Sequence, residues 1–324
     1  MKRFLAGLAL ALTIGVAPAS AEPLKIVASF SILGDMVERI AGDRVELTVL
    51  VGPGGDAHSF EPGPAHAAAL ADAKLLVVNG LGFEPWMVRL AAAAKSKATY
   101  AVASFGINPR EMDDDHAHDH GHSHGHDHDH DHGHNHSHDK QGYPSVPHDF
   151  DPHAWQNLAN GVVYVRNIAE ALAKADPENA DAYEANAAAY IAELQELDAW
   201  VRAEIGKVPP ERRKVITTHD AFGYFGDAYG IEFHAPLGIS GGAQPSAQAL
   251  ARLIDQIRAE NIKALFIETM SDARMMETVS RETGAEMGGA LYSDALSRAG
   301  GDAPTYVAMF RHNVPLLVAA MLKD

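Results

Sequence analysis

Short apolar runs alternate with amphipathic stretches along most of the chain. Runs rich in β-branched and apolar residues are typical of strands buried in a parallel sheet, and an apolar period of 3.6 residues predicts helices between them. This rhythm predicts four strands in each half of the chain, and therefore an α/β fold with two lobes. The predicted strands are Lys25–Phe30, Val45–Val51, Leu75–Asn79, Thr99–Val102, Lys214–Thr218, Glu232–Ala235, Ala264–Glu268 and a weaker one before Tyr292.

One long helix is predicted between the two halves, from Pro177 to Ile205. Asp176 is placed to cap its start, and Gly206 follows its last residue. At 1.5 Å per residue this helix would be on the order of 43 Å long, enough to lie along both lobes. An ordinary surface helix is the alternative. A separate helix is predicted just before it, over Leu158–Ala173.

The first 21 residues are typical of an export signal. Lys2 and Arg3 supply the positive start, Leu5–Val16 is apolar, and Ala19-Ser20-Ala21 is a small-residue cleavage site. We therefore expect a periplasmic protein that begins at Glu22 after cleavage. The expected division is residues 1–21 as signal peptide, 22–175 as N-terminal lobe, 176–206 as connecting helix and 207–324 as C-terminal lobe.

Composition narrows the possible functions. The 324 residues include no cysteine, so we expect no disulfide, no lipid anchor on a cysteine and no thiolate ligand for a metal. Any metal site must therefore use nitrogen and oxygen ligands. The formal net charge of −17 disfavours nucleic acid and anionic membranes as partners and is compatible with attracting cations. We also expect a monomer.

Residues 113–139 form a histidine-rich segment that is predicted to be disordered. Its one apolar side chain is that of an alanine, so burial cannot offset the entropy of its chain. Shifting sets of its imidazoles would capture several metal ions with low affinity, and a solvated spacer is the alternative. The twelve histidines are His116, His118, His120, His122, His124, His126, His128, His130, His132, His134, His136 and His138.

Four further residues are candidates for a tighter metal site, two from each half of the chain. His58 lies in a glycine-rich turn after a strand, and His153 follows a proline just before a helix. His219 ends a predicted strand, and Asp294 lies at a predicted strand-to-helix turn. Each is a weak signal alone, since a lone aspartate after a strand is usually a helix cap. Together they are a stronger one, because the carboxyl ends of parallel strands face the ligand crevice.

The chain resembles the zinc- and manganese-binding solute-binding proteins of ABC importers, over essentially its whole mature length. The segments that carry the resemblance are GGDAHSFEP (54–62), NGLGFEPW (79–86), DPHAW (151–155), THDAFGYF (218–225), LFIET (265–269), METV (276–279) and LYSDAL (291–296). The resemblance implies two Rossmann-like (β/α)4 lobes joined by one long rigid helix, with the metal in the cleft between the lobes. It implies that the ligands of one Zn2+ ion are His58, His153, His219 and Asp294. An ABC permease and its ATPase are the implied partners. Whether a periplasmic zinc chaperone is a further partner is left open at this point.

The residue at position 219 bears on which metal is bound. The resemblance implies that manganese-binding relatives carry a carboxylate there and usually lack a histidine-rich segment. Three imidazoles and one carboxylate also favour zinc, because imidazole suits zinc whereas manganese prefers oxygen. We expect high-affinity zinc uptake, with a manganese-binding homologue and a periplasmic zinc buffer without a transporter as alternatives.

An enzyme is the rival class of protein. A catalytic zinc keeps an open position for water, whereas four protein ligands close the site. The chain also has no His-Glu-x-x-His motif. We therefore do not expect an enzyme.

The remaining histidines are expected to be structural. His66 falls at the start of a helix, His234 within a strand and His312 in the last helix. His148 borders the histidine-rich segment. Two alternatives are left for it: it passes metal inward, or it has no role in metal binding. Glu268 ends a strand near the cleft. A hydrogen-bonded structural role is favoured over direct binding of the metal, and a role in orienting a metal ligand is a further alternative.

Acid should weaken metal binding at an imidazole site. Imidazole binds a metal only when it is neutral, and its ordinary pKa is about 6.5. The sequence alone therefore predicts that protons compete with the metal as the pH falls through about 6 to 5.

Deleting residues 113–139 should leave the midpoint of thermal unfolding nearly unchanged, because the segment has no apolar content with which to pack. The zinc stoichiometry, counted by native mass spectrometry, should fall to one while the tight site survives. Loss of the tight site would instead mean that the histidines at 116–138 are the principal ligands.

Overall fold

The computed structural model describes residues 22–112, 150–238 and 245–323. The strands are β1 Leu24–Phe30, β2 Val45–Val51, β3 Leu75–Val78, β4 Thr99–Val102, β5 Lys214–Ile216, β6 Glu232–His234, β7 Ala264–Glu268 and β8 Glu286–Leu291. They form two four-stranded parallel sheets, of order β2-β1-β3-β4 and β6-β5-β7-β8, which confirms the predicted two-lobed α/β fold. The helices are α1 Ser31–Ala41, α2 Pro64–Asp72, α3 Met87–Ala94, α4 Leu158–Ala175, α5 Ala180–Ile205, α6 Gly223–Tyr229, α7 Ala247–Glu260, α8 Arg274–Thr283 and α9 Tyr306–Leu322. The predicted signal peptide, the twelve histidines of residues 113–139 and His148 lie outside the described residues.

The two sheets share one connectivity. In each, the first strand of the lobe pairs in parallel with the second and the third, and the third pairs with the fourth. The order of the strands therefore reverses beside the first strand of each lobe. Ligands of open α/β sheets bind at the carboxyl ends of strands at such a reversal, so the topology points to the space between the two lobes.

Buried carboxylates end two strands earlier than the sequence predicts. The N–H of Asn79 donates to Glu84 at 2.6 Å, and the N–H of Thr218 donates to Glu268 at 3.1 Å. Because these N–H groups are directed at a carboxylate, they do not continue the ladder of the sheet. β3 therefore stops one residue short of the predicted end. β5 ends two residues short, at Ile216, although the N–H of Thr217 still donates to the carbonyl of His234 at 3.0 Å.

Helix α5 is the long helix expected between the lobes, although it begins at Ala180. The three residues before it, Pro177–Asn179, form a 3-10 turn. Buried residues recur at every third or fourth position along one face of α5, and Tyr183, Tyr190 and Leu197 are among them. Its 26 residues span about 39 Å at 1.5 Å per residue.

A single large hydrophobic core runs through both lobes. It joins strands of the first sheet to α5 and α9, so the lobes are packed against each other through these helices. A smaller cluster, which includes Ile257 and Met276, lies under α7 and α8 in the second lobe. No helix among the described residues is both long enough and apolar enough to cross a membrane.

Candidate metal centre

Four potential metal ligands converge between the lobes. One ligand atom from each of His58, His153, His219 and Asp294 lies within 4.8 Å of the other three. The Nε2 atoms of His58 and His153 are 3.2 Å apart, and those of His58 and His219 lie 3.4 and 3.2 Å from Oδ2 of Asp294. Nε2 of His153 is 3.5 Å from Oδ1 of the same carboxylate. The structure thus brings together all four residues that the sequence singled out.

The loop after β2 places His58. The carboxylate of Asp56 accepts the N–H of His58 at 2.8 Å, which tightens the turn. The indole N–H of Trp86 donates to the carbonyl of Ala57 at 2.7 Å and ties the loop to the first lobe. The edge of the His58 ring packs against Phe83, with ring centroids 4.6 Å apart.

His153 is oriented by Asp151, two residues before it. Oδ1 of Asp151 lies 2.8 Å from Nδ1 of His153 and also accepts its N–H at 2.9 Å. Both residues are fully buried. The amide of Asn79 donates to the carbonyl of Pro152 at 2.9 Å and fixes the same turn. Because Nδ1 faces a carboxylate, Nε2 is the nitrogen that faces the cleft.

Glu268 plays the corresponding part for His219. Its carboxylate contacts Nδ1 of His219 and accepts the N–H of the same residue at 2.9 Å. It also accepts the hydroxyl of Ser293 at 2.7 Å. Glu268 therefore lies behind His219 rather than among the four converging residues, which favours the supporting role that the sequence left open.

Asp294 lies in a long loop, and the predicted strand-to-helix turn is wrong. β8 ends at Leu291 and α9 begins only at Tyr306, so residues 292–305 separate them. The physical reason lies in the other lobe, because the side chains of Trp155 and Gln156 each donate to the carbonyl of Ser293 at 3.0 Å. These bonds hold the loop against the first lobe instead of letting it turn into a helix.

Burial and mutual attraction perturb the ionisation of the centre. Burial alone would lower the pKa of His153, but the charge of Asp294 and the hydrogen bond to Asp151 outweigh it and raise the pKa to about 9. Burial acts on His219 in the same way, and the charges of Glu268 and Asp294 raise its pKa well above the ordinary value. Burial would raise the pKa of Asp294, yet the charges of His153 and His219 hold it well below its usual range. The centre therefore keeps a carboxylate charged and invites cations.

The donor set fits a metal ion. Nε2 of His219 and both oxygens of Asp294 are buried and make no hydrogen bond within the described part of the chain. Buried polar atoms are normally paired, and ionised ones strongly so. Three imidazole nitrogens and one carboxylate directed at one point are a set that a divalent transition metal satisfies.

The other histidines of the described chain lie outside this centre. Nδ1 of His66 accepts the N–H of Gly63 at 2.8 Å, and Nε2 of His312 lies 3.0 Å from the carbonyl of Ala290. His234 lies 2.9 Å from Glu232 at the surface. This pair and Glu260 form a second group of potential ligands, but Lys214 already contacts both carboxylates.

Sequence reasoning missed several residues that support the ligands. Asp151 could have been found, because a carboxylate two residues before a candidate ligand is a recognisable signal. The roles of Trp155, Gln156 and Ser293 had no such signal, since their hydrogen bonds join residues more than 130 positions apart.

Two parallel α/β lobes, a long helix along both and a nitrogen-rich centre between them define a two-lobed solute-binding protein with a metal as its cargo. The model of the family described as the periplasmic component A of a zinc-uptake complex matches residues 26–320. The chain belongs to this family.

Different relatives of this chain are named for different metals. The chain is 33% identical over 301 residues to the manganese-binding lipoprotein MntA of Halalkalibacterium halodurans, covering 93% of this chain and 89% of that protein. It is also similar to the periplasmic zinc-binding protein TroA of Treponema pallidum, with a TM-score of 0.79, 29% identity and coverage of 94% and 100%. A manganese-bound periplasmic metal-binding protein of Candidatus Liberibacter asiaticus matches with a TM-score of 0.75, 28% identity and coverage of 93% and 100%.

Family membership settles the coarse function. The chain is the exported, periplasmic metal-binding component of an ABC metal importer, and it works with a permease and an ATPase. It is not an enzyme, as expected from the sequence. One Gly-x-Ser-x-Gly match, residues 238–242, falls mostly outside the described residues, and that motif indicates a hydrolase only on a strand-to-helix elbow.

Metal binding should release protons even at neutral pH. The pH range in which protons compete with the metal therefore lies higher than the sequence alone predicts. In the metal-free protein His153 holds its proton below about pH 9, and the pKa of His219 is raised as well. An incoming metal must displace these protons, so its apparent affinity should rise with pH from neutrality up to about 9, where His153 loses its proton. Calorimetry at pH 7 in two buffers of different ionisation enthalpy should show release of at least one proton. Equal apparent enthalpies in the two buffers would contradict this.

Glu268→Gln should weaken metal binding by roughly 10- to 100-fold, the usual effect of removing a partner that orients a ligating histidine. An amide cannot accept from the His219 ring, the N–H groups and the Ser293 hydroxyl at once. Competition with a chromophoric chelator measures the affinity. Glu260→Gln, at an exposed carboxylate on α7, is the matched control and should bind like wild type. A Glu268→Gln protein of wild-type affinity would show that Glu268 does not orient the ligand.

Proposed function

We propose that the chain captures Zn2+ with His58, His153, His219 and Asp294 and delivers it to an ABC importer for high-affinity zinc uptake. The observation that carries the proposal is the convergence of these four side chains on one point between the lobes. Within the described chain, no other ion pair or hydrogen-bond network explains why Nε2 atoms from both lobes face the single carboxylate of Asp294.

The spacing of the ligand atoms supports a tetrahedral ion. Ligands at the zinc–nitrogen distance of about 2.0–2.1 Å, placed at the corners of a tetrahedron, are roughly 3.3–3.4 Å apart. Among the three Nε2 atoms and Oδ2 of Asp294, three of the six separations are between 3.2 and 3.4 Å, and Nε2 of His153 lies 3.5 Å from the other oxygen of Asp294. Little rearrangement would therefore be needed to close the four ligands around zinc.

The chemistry of the donors favours zinc over manganese. Three of the four donors are imidazole nitrogens, which suit zinc, whereas manganese prefers carboxylate and other oxygen ligands. Affinity alone does not decide the cargo in a cell, because divalent zinc binds most sites more tightly than manganese does. The test of cargo must therefore include uptake.

The histidine-rich segment fits the same proposal as an accessory. Its twelve imidazoles would hold several zinc ions weakly and raise the supply near the cleft. Ordering a flexible chain costs entropy, so these sites should be weaker than the four-residue centre. We further propose that the protein acts as a monomer.

Manganese is the second candidate cargo, because the relative at 33% identity is named as manganese-binding. A strain that lacks this protein should grow poorly under a zinc chelator, recover with added zinc and not recover with manganese. Import of radioactive zinc should fall in the same strain, and import of radioactive manganese should not. Recovery with manganese alone would overturn zinc in favour of this second candidate.

Replacing His219 tests the donor argument directly. His219→Glu should lower zinc affinity and raise the ratio of manganese to zinc affinity, because an oxygen donor replaces a nitrogen donor. Competitive titration of both metals against one chelator gives that ratio. An unchanged ratio would show that position 219 does not determine the metal.

His153→Ala should weaken tight zinc binding by at least roughly 100-fold, because it removes one of four ligands of the ion. His234→Ala, a histidine outside the centre, is the control and should keep wild-type affinity. Circular dichroism must first show that both variants are folded. A folded His153→Ala protein with unaltered zinc affinity would refute the ligand set.

A further inference from the structure

An open cavity of about 610 Å3, lined by residues of both lobes, leads to the metal centre. Three of the four proposed ligands, His58, His219 and Asp294, line its inner end. His153 does not line it and is fully buried. The side chains of His58 and His219 are 8% and 3% exposed, so what little exposure the centre has is on the side of this cavity.

The opposite side of the centre is closed by aromatic rings of the first lobe. Phe83 and Trp155 are completely buried, and their ring centroids are 4.8 Å apart. The His58 ring packs on Phe83, and the His153 ring packs on Trp155 with centroids 5.3 Å apart. Protein interiors packed in this way leave no passage for an ion.

We infer that this cavity is the route by which the metal enters and leaves the centre, and that Asp56 receives the cation at its mouth. The inference rests on the proposed function, since it takes the four residues as the binding site. It adds a path and a residue to that site.

Asp56 is suited to this role by its charge and position. It lines the cavity two residues before His58, and within the described chain it forms no ion pair with a basic residue. The other rim carboxylate, Asp272, is bonded by the guanidinium of Arg274, which offsets its charge. An uncompensated carboxylate at the mouth of a cavity raises the local concentration of cations.

The walls of the cavity allow an ion to pass without being retained. Leu250 and Met275 supply apolar surface between the mouth and the centre. At the inner end lies Thr218, which is 2% exposed and whose hydroxyl has no hydrogen-bond partner in the described chain. This oxygen is next to His219 and can replace a water molecule of the hydrated ion as it is transferred to the imidazoles.

Narrowing the cavity separates a route from a binding site. Leu250→Trp should lower the association and dissociation rate constants of Zn2+ by the same factor and leave Kd unchanged, because an obstacle on the path raises one barrier for both directions. Stopped-flow mixing with zinc gives the first rate constant, and a chase with excess chelator gives the second. Ala251→Trp, an exposed neighbour on α7, is the matched control and should keep wild-type rates.

Removing the charge tests Asp56. Asp56→Asn keeps an oxygen that accepts the N–H of His58 but loses the negative charge. The association rate constant should fall roughly fivefold at low ionic strength and approach the wild-type value at high salt, because salt screens such steering. Asp272→Asn, whose charge is already paired, should change the rate far less.

The outcomes distinguish this inference from the proposed function. Wild-type rates in folded Leu250→Trp and Met275→Trp proteins would overturn the route, while tight zinc binding in them would leave the proposed function intact. An Asp56→Asn protein with a wild-type rate at every salt concentration would overturn the role of Asp56. If Leu250→Trp does not fold, Met275→Trp on α8 decides the question of the route. Absence of tight zinc binding in the wild-type protein would refute the proposed function itself.

Discussion

The centre of this protein is organised by one fully buried carboxylate. Both oxygens of Asp294 lie away from water, and an unpaired charge in that position would be strongly destabilising. Three imidazoles from two lobes surround it, so either protons or a metal ion must supply the compensating positive charge. The raised pKa values of the rings follow from this requirement.

Both lobes end a strand with the same device. In the first lobe Glu84 is buried and accepts the hydroxyl of Ser29 at 2.7 Å and the N–H of Asn79. In the second lobe Glu268 accepts a serine hydroxyl and strand-end N–H groups in the same manner. The second carboxylate also contacts the ring of His219. An element that shapes the chain in one lobe thus also orients a proposed ligand in the other.

The fold could be predicted because its signals are local. Strands such as β1 and β3 are buried on both faces and read as continuous apolar runs, and Gly206 marks the end of α5. The four converging residues could be singled out from their places at strand ends together with the family resemblance. Contacts between distant residues could not be predicted. The link from Glu268 to His219 spans 49 positions, and that from Trp155 to Ser293 spans 138. The predicted turn at Asp294 failed for this reason, because the other lobe determines the path of its loop.

The hydrogen bonds of Ser293 mean that the two lobes share one point of attachment. Its carbonyl is held by Trp155 and Gln156 of the first lobe, and its hydroxyl holds Glu268 of the second. Asp294 is the next residue along the chain. A change in the spacing of the lobes therefore displaces the carboxylate of Asp294 and the imidazole of His219 in the same step. The contacts to the metal ion would then weaken together rather than one at a time. A membrane transporter that separates the lobes would loosen all the contacts to the ion at once, and the ion would then leave through the same cavity.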